Sequence, residues 1–103
     1  MSQQDNNAIP DVVKRRVKVI LNSLRELAAA LNGVQLARGS GYILALELRD
    51  RTPNIRHGLQ RLDEFRVLAR KNGVDAEVFI QSCGGVPDFE KFGYHPNAAS
   101  LSS

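Results

Sequence analysis

The sequence predicts an α+β domain, a two-layer sandwich in the order helix, strand, strand, helix, strand, with both helices on one face of a three-stranded mixed sheet. Three patterns lead there. Apolar residues between Val13 and Leu31 recur at helical spacing, Val74 to Gln81 alternates apolar and polar residues, and the glycine-rich turn Gly39, Ser40, Gly41 separates two stretches with some alternation.

Taken in order, Met1 to Ile9 reads as a flexible leader, after which Pro10 and Asp11 supply a first-turn proline and an acidic N-terminal residue for a helix. Val13, Val17, Ile20, Leu21, Leu24, Leu27, Ala28 and Leu31 then fall within one arc about 120° wide. Asn32 and Gly33 are expected to end this helix as a left-handed cap. Val34 to Arg38, the turn at 39–41 and Tyr42 to Arg49 read as a β-hairpin, with Tyr42, Leu44, Leu46 and Leu48 sharing a face.

Thr52 and Pro53 are a helix-start signal, and Ile55, Leu59, Leu62, Phe65 and Ala69 line one side of a second helix that Gly73 terminates. The alternation from Val74 to Gln81 predicts a half-buried strand, with Val74, Ala76, Val78 and Ile80 facing inward. A short helical turn at Pro87 to Phe92 would dock Phe89 and Phe92 on the domain. The expected organisation is therefore a leader at 1–9, one domain over 10–96 and a mobile polar tail at 97–103.

Composition narrows the function classes. Hydrophobic residues form 43% and charged residues 24% of the chain, an ordinary globular balance far from that of disordered segments. No apolar run reaches the roughly 18 to 20 residues of a membrane span, and Met1 to Asn7 is polar, so a cytoplasmic protein is expected. Cys83 is the only cysteine, which excludes an internal disulfide framework. The net charge of +3, from 14 Lys and Arg against 11 Asp and Glu, permits nucleic acid as a ligand without requiring it.

Catalytic patterns fail on spacing. A cysteine-phosphatase loop needs an arginine six residues after its nucleophile, and counting from Cys83 that position is Phe89. There is no Walker loop and no nucleophile elbow. His57, Cys83 and His95 stand too far apart in sequence for the paired spacings of zinc sites, so no metal or other cofactor is expected. Cys83 beside Gly84 and Gly85 reads as a small buried hydrophobe, with an exposed reactive thiol as the alternative.

The run Phe89, Glu90, Lys91, Phe92, Gly93, Tyr94 after an "ARKNGV" helix end resembles the closing segment of acetyltransferases of the GNAT superfamily, and Arg38, Gly39, Ser40, Gly41 is similar to part of their pyrophosphate loop. In that family the loop opens a helix whose amides bind acetyl-CoA phosphates. In this sequence it precedes a stretch that reads as strand, and the resemblance implies no catalytic residue here.

Surfaces carry the remaining expectations. The open face of the sheet would present Ala37, Ile43, Ala45 and Phe79 with Glu47, Arg49, Asp75 and Glu77, either as a protein interface together with Phe89, Phe92 and Tyr94 or covered by those aromatics of its own chain. An apolar centre with a charged border is the composition of a protein interface. Lys14, Lys18 and Arg25, with Arg15 and Arg16 nearby, form a basic flank on the first helix suited to phosphates. Arg66 projects at the margin of the second apolar stripe, either bridging to Asp63 or anchoring an anionic group of a partner. The sequence thus points to a non-enzymatic domain acting by protein association, as an adaptor or inhibitor and as a homodimer. Nucleic-acid binding through Lys14, Arg15, Lys18 and Arg25 is the alternative, and a degenerate acetyltransferase-like fragment the third reading.

Overall fold

The structure is a computed structural model that describes residues 9–38 and 41–95. It overturns the expected sandwich: the described residues form three α-helices and a short 3-10 turn, with no strand among them. Helix α1 spans Asp11–Arg38, α2 spans Tyr42–Lys71, α3 spans Ala76–Ser82, and the 3-10 turn covers Glu90–Phe92. The expected leader at 1–9 and tail at 97–103 lie, apart from Ile9, outside the described residues.

Helix α1 starts where the sequence placed it, with the amides of Val13 and Lys14 donating to the Pro10 carbonyl at 3.0 and 3.1 Å. It does not stop at Asn32 and Gly33. Nothing lies within 4 Å of a side chain built on Gly33, whose φ is not positive. A glycine inside an exposed helical turn costs only about 1 kcal/mol relative to alanine, and the flanking Val34, Gln35 and Leu36 carry the helix past it.

The predicted hairpin is the largest correction. Tyr42 to Arg49 opens α2 rather than forming a strand, and α2 runs through Pro53 to Lys71. Leu, Ala, Glu and Arg dominate this stretch and are strong helix formers, whereas strands favour β-branched and aromatic residues. Leu44, Leu48, Ile55, Leu59 and Leu62 also continue one helical stripe. The alternation at Tyr42, Leu44, Leu46 and Leu48 was a by-product of leucine abundance. Pro53 lacks the amide that would bond the Arg49 carbonyl, and the neighbouring Thr52 hydroxyl donates to the Leu48 carbonyl at 2.7 Å.

Gly73 ends α2 as expected, at φ +71°. The strand predicted over Val74 to Gln81 is instead α3. The Asp75 side chain caps it, accepting from the amides of Glu77 at 3.0 Å and Val78 at 3.3 Å. Ala76 and Ile80, four residues apart, turn inward, while Val78 is 65% exposed. A cap satisfying otherwise orphaned amides outweighs an alternation of four pairs.

Helices α1 and α2 pack as an antiparallel hairpin, α3 packs on α2, and the C-terminal segment closes the same side. The core unites Val17, Leu21, Leu24 and Leu31 of α1 with Leu44, Ile55, Leu62, Phe65 and Ala69 of α2, Ile80 of α3, and Phe89, Phe92 and Tyr94. Ile9 joins them at 2% exposure. The rings of Phe65 and Phe79 lie 5.7 Å apart, and those of Phe89 and Tyr94 meet edge to face at 6.2 Å. Among the described residues no helix is long and apolar enough to cross a membrane.

Candidate protein-docking groove

The hairpin has two sides, and among the described residues only one is covered. On the covered side, Arg25 of α1 donates from Nη1 to the Cys83 carbonyl at 2.9 Å and reaches the Gly85 carbonyl at 3.5 Å. Its Nη2 donates to Asn22 Oδ1. These carbonyls end α3, where backbone acceptors lack helical donors and a cation is favoured. Arg66 of α2 bridges to α3 in the same way, bonding Asp63 Oδ1 at 2.7 Å on its own helix and Glu77 Oε2 at 2.5 Å on α3. Burial opposes its charge, and the bonds to Glu77 and Asp63 more than offset this, so its pKa is raised.

On the opposite side a groove of about 550 Å³ runs between α1 and α2, lined by Arg16, Val19, Ile20, Ser23, Leu24, Glu26, Leu27 and Ala30 of α1 and by Arg51, Asn54, His57, Gly58 and Arg61 of α2. A second depression, lined by Val13, Arg16, Val17, Ile20, Arg61, Glu64, Phe65 and Leu68, shares Arg16, Ile20 and Arg61 with it. The two adjoin along the same side of the hairpin. From Val13 to Ala30 they follow α1 for about 25 Å at the helical rise.

Small residues give the groove its depth. A Cβ on Gly58 would sit 2.8 Å from Leu24 Cδ2, so the helices approach most closely where α2 has no side chain. Ser23 and Ala30 keep the α1 wall low beside it. The floor is apolar, and the rim carries Arg16, Arg51, Arg61 and His57 against Glu26 and Glu64. Arg51 lies 3.5 Å from Glu47 in a half-buried pair, and Arg61 lies 3.8 Å from Glu64 in a solvent-exposed one. Arg16 has no carboxylate within ion-pair distance among the described residues. Arg51 Nε is buried with no acceptor.

The residues expected to form a sheet interface do not share a surface. Ile43, Ala45 and Arg49 are exposed and Glu47 half-buried, all on the first turns of α2, where a spacing of two residues scatters them around the helix. Ala45 and Arg49 line a shallow depression beside Lys91, Phe92 and Gly93. Phe79 packs against Phe65 with its ring tilted by 56°, while Phe89, Phe92 and Tyr94 are buried in the core of their own chain. Of the basic flank, Arg15 and Lys18 are exposed, Lys14 is half-buried and Arg25 is engaged with α3.

Cys83 is half-buried at the end of α3, its Sγ 3.9 Å from Ser82 Oγ. Among the described residues no three His, Cys, Asp or Glu side chains gather as a metal site requires. The groove went unseen in the sequence because Arg51 was placed before the second helix. A single helix from Tyr42 puts Arg51, Asn54, Gly58, Arg61, Phe65 and Leu68 on one stripe. Comparison of the chain with protein families, curated proteins and solved structures finds no match.

Proposed function

We propose that this chain is a helical-hairpin association domain that binds another protein along the α1/α2 groove. One observation carries the reading: the hairpin buries its apolar stripe on the side of α3 and the C-terminal aromatics, while Ile20, Leu27 and Leu68 border an open channel on the other side. An apolar channel with a charged rim is the form in which helical proteins receive partner helices. The adaptor or inhibitor role expected from the sequence is kept, and its surface moves from a sheet face to this groove.

Site-specific photo-cross-linking in the protein's own cell tests it. A photoreactive residue at Val19 or Leu27 is expected to give a discrete protein adduct that the same residue at Val78, exposed on α3, does not give. Adducts of equal yield from both sides of the hairpin overturn the groove as the binding surface. An adduct of twice the chain's mass would replace a foreign partner by a second copy, and an adduct to nucleic acid would favour the basic-flank alternative.

A further inference from the structure

We infer that the occupant of the groove is an acidic amphipathic helix supplied by another protein, an inference that rests on the association reading above. The combined length of about 25 Å matches a helix of roughly 17 residues, long enough for four or five turns. A helix with apolar residues at spacings of three and four would set them on Ile20, Leu27 and Phe65.

Charge selects the rest of its sequence, since Arg16, Arg51 and Arg61 on the rim outnumber Glu26 and Glu64. Arg16 on α1 and Arg61 on α2 stand on opposite walls and line both parts of the channel, so an occupant passes between two guanidinium groups. Arg61's contact with Glu64, at 3.8 Å, joins exposed side chains and contributes little, and Arg16 has no carboxylate partner among the described residues. Arg16 can take a carboxylate in the bidentate geometry that guanidinium favours, and Arg61 can exchange its exposed contact with Glu64 for one. Farther along, Arg51 holds a buried Nε without an acceptor, and a carboxylate in the groove would give its side chain one to turn towards.

The apolar floor argues against a nucleic-acid strand. A nucleic-acid strand would meet the arginines but leave Ile20 and Leu27 uncovered, because among the described residues this groove offers no exposed Phe, Tyr or Trp ring and only the His57 imidazole for bases to stack on.

Fluorescence titration of the full chain with synthetic peptides tests the inference. The probes are three Ala-based peptides of about 18 residues. One carries a leucine stripe flanked by Glu, the second has every Glu replaced by Lys, and the third keeps the acidic composition with the stripe scrambled. The first is expected to bind, and the other two to bind at least about tenfold more weakly. The double variant Arg16→Glu with Arg61→Glu is expected to prefer the Lys peptide. Should that variant unfold, Arg16→Gln alone is expected to weaken the Glu peptide and leave the Lys peptide unaffected. Equal binding of the Glu and Lys peptides, both abolished by Leu27→Lys, would overturn the acidic partner while leaving the groove an association site. Failure of every peptide up to about 1 mM would also overturn it, and the photo-cross-linking then decides separately whether the association reading stands. Binding of a mixed-sequence duplex, lost in the double variant, would overturn it in favour of nucleic acid.

Discussion

Gly58 of α2 lies so close to Leu24 of α1 that a Cβ on the glycine would come within 2.8 Å of the leucine's Cδ2. Leu24 is 1% exposed and cannot swing aside. Alanine is a better helix former than glycine by about 1 kcal/mol, but forcing a methyl into a packed contact costs about 1–3 kcal/mol. The steric effect is the larger. Gly58→Ala is expected to lower stability by up to about 2 kcal/mol, read as a fall of roughly 4–8 °C in Tm per kcal/mol. In a Leu24→Ala background, itself costing about 2–5 kcal/mol, the same change is expected to become neutral or stabilising. A loss of equal size in both backgrounds would show that the helices do not meet there.

Arg25 ties α1 to the end of α3 through the Cys83 and Gly85 carbonyls. Arg25→Ala is expected to destabilise the fold by about 1–2 kcal/mol, and Arg25→Lys by less, because an ammonium keeps the charge but not the forked geometry. Chemical denaturation measures both. Any nucleic-acid titration of Arg25 variants must therefore be read beside their melting curves.

Ile80 and Val78 distinguish the helix from the strand that the alternation suggested. A strand would bury both on one face, whereas in α3 Ile80 is fully buried and Val78 is 65% exposed. Ile80→Ala is expected to cost about 2–5 kcal/mol, and Val78→Ala no more than about 0.5 kcal/mol. Similar losses at the two positions would restore the strand.

Phe89 and Phe92 are each 4% exposed, so the C-terminal segment belongs to the core. Phe89→Ala is expected to remove about 3–5 kcal/mol, a large part of the roughly 5–15 kcal/mol that holds a domain together. Truncation before Pro87 should leave a chain that no longer unfolds cooperatively. A truncated chain with an unchanged transition would show that these rings serve a partner.

Pro53 sits inside α2, where it lacks an amide for the Arg49 carbonyl. Its position is exposed. Pro53→Ala is expected to raise stability by up to about 3 kcal/mol, measured by thermal denaturation. A loss would mean that the helix needs its interruption at this point.

Local chemistry in the sequence was enough to set several element boundaries. Pro10 and Asp11 mark the start of α1, Gly73 marks the end of α2, and the aromatic turn before Gly93 lies where the sequence put it. The readings that failed are those in which a short pattern fits two periods. Tyr42 to Arg49 satisfies alternation and helical spacing alike, and the helical continuation to Ile55 and Leu62 decides between them. Pro53 reads as a helix start because proline is common there, yet nothing local distinguishes a first turn from an exposed interior turn.

By itself, then, the sequence determined a first amphipathic helix, a glycine stop and a set of apolar residues sufficient for one core, because those depend on spacing and backbone preference within a few residues. Only the tertiary structure decided which side of each helix is covered. Arg25 reads as part of a basic flank in the sequence and Arg66 as a cation at the margin of an apolar stripe within reach of Asp63, and α3 turns both into ties between elements. Arg16 and Arg61 lie 45 positions apart and become opposite walls of one groove through the antiparallel pairing of α1 with α2. That juxtaposition depends on contacts between residues distant in the chain, which no local period encodes.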